Sequence, residues 1–121
     1  MLIGFHSCGN IGSVLETFMQ LGVNVLNPIQ ATANDLGKVR GLTQGRMALQ
    51  GGISSALIME GPGERIVTEV RKRIRQLGRE GGYFCGPDQG LPYPQEHLDA
   101  LQQAIKEYGY YPLALYDLSI V

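Results

Sequence analysis

The fold is decided by the stretch from residue 46 to residue 85, which reads RMALQGGISSALIMEGPGERIVTEVRKRIRQLGREGGYFC. A short apolar run at 46–50 precedes a helical pattern that begins near Pro62 and ends at Gly78, and another apolar run follows at 81–85. Proline suits the first turn of a helix, and glycine suits its end. The pattern therefore predicts a strand–helix–strand unit. The apolar residues that the helix is expected to turn inward are Ile66, Val67, Val70, Ile74 and Leu77.

The same alternation extends outward from this unit in both directions. Apolar runs at 2–5 and 23–26 predict two further strands, the first of them buried, and each is followed by a helical pattern. The first of these helices is capped by Asn10 and the second begins at Asp35, while Pro94 begins a last helix that Gly109 ends. The inward positions of the first helix are Ile11, Val14, Leu15, Phe18 and Leu21.

Four βα units without a hairpin signal predict an α/β fold with a parallel sheet covered by helices. Two arrangements fit this pattern, an open sheet of the Rossmann or flavodoxin kind and half of a (β/α)8 barrel. The Rossmann fingerprint G-x-G-x-x-G is missing after the first strand, where residues 8–12 read CGNIG. A full barrel takes about 250 residues, twice the present length. Periodicity alone leaves the choice open.

Length and composition predict one globular domain over residues 1–121. The chain has 44% hydrophobic and 17% charged residues and a net charge of −1, so there is no electrostatic reason to expect nucleic acid or an anionic membrane as partner. No stretch approaches the roughly 20 apolar residues of a membrane span. Two cysteines are too few for a disulfide scaffold, which favours a reduced, cytoplasmic protein.

The helix at 62–79 carries six of the ten basic residues. Glutamates are interspersed, and Arg65, Glu69 and Arg73 follow at the i, i+4 spacing of helix ion pairs. Aromatic residues are not interleaved with these charges, so we expect a solvated outer helix rather than a nucleic-acid surface. The six basic residues are Arg65, Arg71, Lys72, Arg73, Arg75 and Arg79.

Five short motifs follow one another in a fixed order along the chain. They are His6-Ser7-Cys8-Gly9-Asn10; Val25-Leu26-Asn27-Pro28 with Gln30; Gly51-Gly52-Ile53; Gly81-Gly82-Tyr83-Phe84 with Gly86-Pro87-Asp88; and Glu107-Tyr108-Gly109-Tyr110. Over about residues 2–112 the sequence resembles the C-terminal half of the uroporphyrinogen decarboxylase superfamily. That superfamily also holds zinc-dependent methyltransferases that act on methylated corrinoid proteins or coenzyme M. The resemblance implies the last four units of a (β/α)8 TIM barrel, with the site at the carboxyl ends of the strands.

In the methyltransferase branch, the resemblance implies that a His-x-Cys pair ligates zinc together with a cysteine from the loop of the last strand. The pair is His6 and Cys8, but the position of the family's cysteine is occupied by Gln89. Cys85 is the remaining candidate, so the expected metal ligands are His6, Cys8 and Cys85. The alternative is a buried cysteine and a hydrogen-bonded histidine without metal.

In the decarboxylase branch, which requires no cofactor, the resemblance implies a histidine at the position of Gln89 to contact the tetrapyrrole. Asn27 and Gln30 follow the second strand, where their amides either bind a polar ligand or satisfy the loop backbone. The expected ligand-binding residues are His6, Cys8, Asn27, Gln30 and Gln89. No catalytic residue is assigned, because the family's substrate-binding arginines, catalytic aspartate and tyrosine belong to the N-terminal half of the barrel.

Four parallel strands leave two unpaired edges and an open inner face, so we expect a partner. The candidates are a second copy in a homo-oligomer, a separate chain that supplies the N-terminal half-barrel, or the chain's own tail at 113–121. We expect a uroporphyrinogen decarboxylase-like protein with tetrapyrrole or one-carbon chemistry on a small-molecule ligand, incomplete as a catalyst on its own. The alternatives are a non-catalytic half-barrel that binds a ligand or assembles with a partner, and a zinc-dependent methyltransferase-like protein.

Overall fold

A computed structural model describes residues 2–110, so the tail at 113–121, one of the three candidates to cover a sheet edge, lies outside the described residues. Strands alternate with helices along the chain. The strands are β1 (Gly4–His6), β2 (Val25–Ile29), β3 (Ala48–Ile53) and β4 (Tyr83–Pro87). A 3₁₀ turn at Gly12–Val14 leads into α1 (Leu15–Gln20), and the later helices are α2 (Leu36–Thr43), α3 (Ser55–Glu60), α4 (Gly63–Leu77) and α5 (Gln95–Tyr108). No helix within residues 2–110 is long and apolar enough to span a membrane.

The four strands form one parallel sheet in the order β1-β2-β3-β4. Each strand therefore pairs with the strand that precedes it in the chain. A doubly wound open sheet reverses this order at a switch point, whereas a (β/α) barrel keeps it all the way round. The strand order thus decides between the two arrangements that the periodicity left open, in favour of half of a TIM barrel.

The two long helices confirm the sequence pattern. The helix expected from Pro62 to Gly78 is α4, and four of its five predicted inward residues are buried, with Val67 half-buried. The helix expected between Pro94 and Gly109 is α5. Arg73 of α4 pairs with Glu69 at 2.7 Å, with side chains only 13% and 22% exposed, and Arg71 lies 4.5 Å from the ring centre of Tyr108 in α5.

The expectation of a buried first strand is wrong. All three residues of β1 are exposed, because β1 is an edge strand of the sheet that residues 2–110 form. Phe5 is 41% exposed although its ring lies on that of Phe18, with centroids 4.6 Å apart. The helix after β1 also begins later than expected, so Val14 and Leu21, predicted to point inward, are 38% and 71% exposed. A short helix at Ser55–Glu60 was not foreseen.

The core lies between the sheet and its helices in two adjoining clusters. The first joins β2 and β3 to Ile11, α1, α2 and Leu77 of α4, and the second joins β3 and β4 to α3, α4 and α5. The fully buried residues include Leu26, Ile29, Leu49, Ile53, Ile58, Ile66, Val70 and Leu77. Next to the first cluster, Arg40 of α2 donates hydrogen bonds to the Met47 and Gly82 carbonyls, which connects the helix to the amino ends of β3 and β4.

The opposite face of the sheet is open. Side chains alternate along a strand, so the residues beside the buried Leu26 and Leu49 point away from the helices. His6 is in register with Asn27, and Gln50 is in register with Phe84. These four residues occupy the open face, where Phe84 is 58% exposed. In a closed barrel this face is the lumen.

Candidate functional site

A histidine and a cysteine meet at the carboxyl end of β1. His6 is the last residue of the strand and Cys8 lies in the loop after it; both are exposed. The Cys8 Sγ lies 3.8 Å from the His6 Nε2. Two ligands of a tetrahedral zinc ion at the usual Zn–N and Zn–S distances lie about 3.6 Å apart. The two side chains therefore have the chemistry and nearly the separation of a zinc-binding pair.

Cys85 does not join this pair. The side chains of Tyr83 and Cys85 pack against the cluster that α4 and α5 form with β3 and β4, on the helix side of the sheet. Burial raises the pKa of the Cys85 thiol to about 11. Within residues 2–110, no three His, Cys, Asp or Glu side chains form a group that could hold a metal ion. His6 and Cys8 thus fit zinc as two ligands, and the part of the chain that the structure describes brings no third acidic, His or Cys ligand to them.

The loop that carries Cys8 is fastened to the loop after β2. The Gln30 Oε1 accepts a hydrogen bond from the Gly9 N–H. Asn34 accepts one from the Ile11 N–H at 3.0 Å and donates from its Nδ2 to the carbonyls of Gly9 and Gln30, both also at 3.0 Å. The Gln30 amide therefore serves the loop backbone, which was one of the two roles considered for it.

Asn27 and Gln89 take different positions at this end of the sheet. Asn27 stands beside His6 on the open face, and its carbonyl accepts a hydrogen bond from the Ser7 N–H at 2.9 Å. Gln89 is exposed in the loop after β4, and its carbonyl accepts a hydrogen bond from the Tyr93 hydroxyl. Asn27 thus lies next to His6, whereas Gln89 follows β4, the strand at the opposite edge of the sheet from β1.

Asp88 follows β4 directly and is the buried carboxylate of the site, only 6% exposed. Its side chain accepts hydrogen bonds from the backbone N–H groups of Gly52, at 2.9 Å, and Ala31. Burial raises the pKa of Asp88 to about 6, although these two N–H donors and the charge of Arg73 act in the opposite direction. One side chain thereby fixes the carboxyl ends of β3 and β4 and the loop after β2.

The sequence reasoning missed Asp88 and Asn34 as site residues. Asp88 had a usable signal, since it directly follows a predicted strand within the Gly-Pro-Asp motif at the end where the site was expected. Asn34 precedes Asp35, whose Oδ1 accepts the Lys38 N–H and caps α2. Because asparagine before a helix is ordinarily read as part of the helix start, the long-range role of Asn34 could be found only from the structure.

The strands of the site carry no cationic side chain. None of β1, β2, β3 or β4 contains Lys or Arg. The open face offers instead an imidazole from His6, amides from Asn27 and Gln50, and the phenyl ring of Phe84. This face therefore presents hydrogen-bonding side chains and one aromatic ring, and cationic partners for an anionic ligand would have to come from outside these strands.

Sequential parallel strands with polar residues at their carboxyl ends define the class of the chain: part of a (β/α)8 barrel with its site at the usual end. The family model of uroporphyrinogen decarboxylase (URO-D) matches residues 1–108, and the chain therefore belongs to this family. Among solved structures it is similar to a methyltransferase from Methanosarcina mazei, with a TM-score of 0.74 and 22% identity. The match covers 90% of this chain and 32% of the methyltransferase, so the chain spans about a third of that protein. Comparison with curated proteins gives no match.

Proposed function

We propose that this chain forms one half of a small-molecule site for one-carbon transfer of the methyltransferase kind, and that the other half of a barrel completes it. The observation that carries the proposal is the His6–Cys8 pair, 3.8 Å apart and exposed at the carboxyl end of β1. An imidazole and a thiolate are the donors that zinc takes in such sites. The similarity in fold to a methyltransferase supports the same direction.

Each polar residue then has a definite task. His6 and Cys8 would hold the metal, which when bound supplies a Lewis acid that activates a thiol as thiolate. Asn27, beside His6, would hydrogen-bond to the ligand through its amide. Asp88 would hold the strand ends that surround the ligand in place. A further metal ligand would come from the half-barrel that closes the site.

Decarboxylation of uroporphyrinogen, the reaction in the family's name, is the competing proposal. A tetrapyrrole with several carboxylates calls for cationic partners. The four strands contain neither Lys nor Arg, so in this proposal the cations would come from the N-terminal half, where the resemblance places the family's substrate-binding arginines. Gln89 is an amide where the resemblance implies a histidine. Release of CO2 from uroporphyrinogen by the chain, alone or mixed with an N-terminal half-barrel, would favour the decarboxylase over the methyltransferase.

A non-catalytic binding or assembly module is a second candidate, favoured by the open face and by the exposed edge strand β1. In this proposal the partner is a second copy of the chain or a separate half-barrel. It predicts association without metal binding, whereas one-carbon transfer predicts both.

Zinc binding separates the candidates. The purified chain is brought to equilibrium with a series of free zinc concentrations, and the bound zinc is measured by elemental analysis for the wild type, Cys8→Ala, His6→Ala and Cys85→Ala. We expect the wild type and the Cys85→Ala control to bind zinc at similar free concentrations and the other two variants to need higher ones. Equal zinc in the wild type and in Cys8→Ala would refute the methyltransferase proposal.

A further inference from the structure

The position of Cys8 is set from outside its own loop. We propose that Asn34, together with Gln30, is a positioning residue that keeps Cys8 beside His6. This inference rests on the proposed function of the His6–Cys8 pair. In this proposal the loop after β2, which carries Gln30 and Asn34, keeps the His6 and Cys8 side chains at the distance that zinc requires.

Hydrogen bonds hold the part of the loop after β1 that adjoins Cys8. Gly9 adopts a φ of +83°, and a Cβ built on it would meet no atom within 4 Å. Its N–H donates to Gln30 and its carbonyl accepts from Asn34. Both polar groups of the peptide neighbour of Cys8 are therefore fixed by side chains from the loop after β2.

Asn34 is itself rigidly placed. The next residue, Asp35, caps α2 through the Lys38 N–H at 3.1 Å, and Leu36 and Val39 of that helix are buried in the core. The Asn34 amide also donates to the Gln30 carbonyl, which orients the residue that binds Gly9. Because Asn34 directly precedes the packed helix α2 and bonds to Gly9, it holds the loop that carries Cys8 at a fixed position relative to that helix.

This task needs an amide specifically. The Asn34 side chain accepts from Ile11 with its oxygen and donates to Gly9 and Gln30 with its nitrogen. An ionised aspartate accepts but does not donate, so it would keep the first bond and oppose two carbonyls with a negative charge. Asn34→Asp thus changes the hydrogen bonding at nearly constant shape, while Asn34→Ala removes all three bonds.

The test measures how zinc protects Cys8 from alkylation. Each protein is treated with iodoacetamide over a range of zinc concentrations, and the labelling of Cys8 and Cys85 is read from the same digest by mass spectrometry. Asn24→Ala is the matched control, because Asn24 also accepts a backbone N–H of the β1 segment, that of Ile3 at 2.8 Å, but at the opposite end of the strand. Labelling of the largely buried Cys85 reports whether the fold is intact.

We expect zinc to protect Cys8 in the wild type and in Asn24→Ala at similar concentrations. In Asn34→Ala and Asn34→Asp, the zinc concentration that halves the labelling of Cys8 should be at least about tenfold higher than in the wild type, as is usual when a residue that orients a metal ligand is lost. Gln30→Leu, which removes only the bond to Gly9, should shift protection in the same direction and serves if the Asn34 variants do not fold.

Two results would overturn the inference alone: wild-type protection in every Asn34 and Gln30 variant, or an equal shift in the Asn24→Ala control. Zinc that leaves wild-type Cys8 unprotected at all concentrations would instead overturn the proposed function of the His6–Cys8 pair, and the positioning role with it.

Discussion

Asp88 carries its charge in a place that water barely reaches, and this makes folding sensitive to pH. Its pKa is raised from the ordinary 3.8 to about 6 by burial. Between those two pH values the folded chain holds a proton that the unfolded chain has already released. The contribution of Asp88 to stability therefore falls as the pH rises from about 4 to about 6.

Asp88→Asn should remove this dependence, because its amide oxygen can still accept from the backbone while no charge is buried. Relative to the wild type, the free energy of unfolding of the variant should rise with pH across that window, by up to about 3 kcal/mol. Urea unfolding of both proteins at several pH values measures this difference. A difference that is the same at pH 4 and pH 7 would show that Asp88 does not titrate in the folded chain as described.

Gly52 lies against a side chain from the neighbouring strand. Its φ is +89°, and a Cβ there would stand 2.7 Å from the Tyr83 Oη, which donates to the Gly51 carbonyl. Gly52→Ala should lower the free energy of unfolding by roughly 2–4 kcal/mol, from backbone strain and the displaced hydroxyl. Gly90→Ala is the control, because a Cβ at Gly90 meets nothing within 4 Å. Equal unfolding midpoints for the two variants in urea would contradict the tight approach of Tyr83.

The face of the sheet to which a single side chain points was harder to predict than the presence of the strand that carries it. Cys85 was expected as a metal ligand, yet it packs toward the helices, while Phe84 faces the open side. In a strand of a parallel sheet both faces are apolar, so the alternation that reveals orientation in half-exposed strands is absent. The positions of Asn27 and His6 were easier to predict, because polar side chains at the carboxyl ends of barrel strands ordinarily face the open end of the barrel.

At the scale of helices and strands, prediction succeeded where a long apolar stripe existed. The stripes of α4 and α5 place these helices to within a residue or two of their observed ends. The six-residue α3 spans less than two turns and has no stripe to read. Strands β2 and β3 continue through Asn27-Pro28 and Gly51-Gly52, beyond the ends that the apolar runs at 23–26 and 46–50 predict, although Pro and Gly disfavour strand interiors.

The inner face of α4 is the largest single anchor between helix and sheet. Ile66 is fully buried in the second cluster, against residues of β3 and α5. Ile66→Ala should reduce the free energy of unfolding by about 2–5 kcal/mol, because a cavity replaces the lost contacts. Arg65→Ala, one position along on the exposed side, should change it by about 0.5 kcal/mol or less. Similar losses for both variants in urea unfolding would place α4 in a different orientation.

For the molecule as a whole, the open face of the sheet leads us to expect association. Phe84 is 58% exposed there, and Leu2, Ile3 and Phe5 are exposed at the other edge of the sheet. We expect the wild type to associate in sedimentation velocity experiments, and Phe84→Lys to shift it toward monomer by placing a charge in the contact. Tyr110→Lys, at an exposed residue that follows α5, should leave association unchanged. A wild type that stays monomeric at every concentration would contradict this expectation.

The choice of architecture came from the order of motifs and not from periodicity. Four strand–helix repeats are compatible with both an open sheet and a barrel. The pattern that predicts a strand depends on neighbouring residues alone, and it does not say which other strand will pair with it. The resemblance carried by residues such as His6, Cys8 and Asn27 indicated the barrel, and the sequential pairing of strands agrees with it. Neither the periodicity nor the resemblance predicts the hydrogen bonds of Asp88 to Gly52 and of Asn34 to Gly9, because each joins segments more than twenty residues apart.

The sequential strand order also bears on how the chain is made. A ribosome releases the amino end first, and within residues 2–110 each strand after β1 emerges with one pairing partner already synthesised. The same holds for α5, which packs against α4. The remaining partner of β1, β2 and β3 follows in the next βα unit, so no strand in this range waits for a distant later segment of it, and such waiting is what exposes growing chains to aggregation. The sheet can thus assemble one unit at a time, in the direction of synthesis.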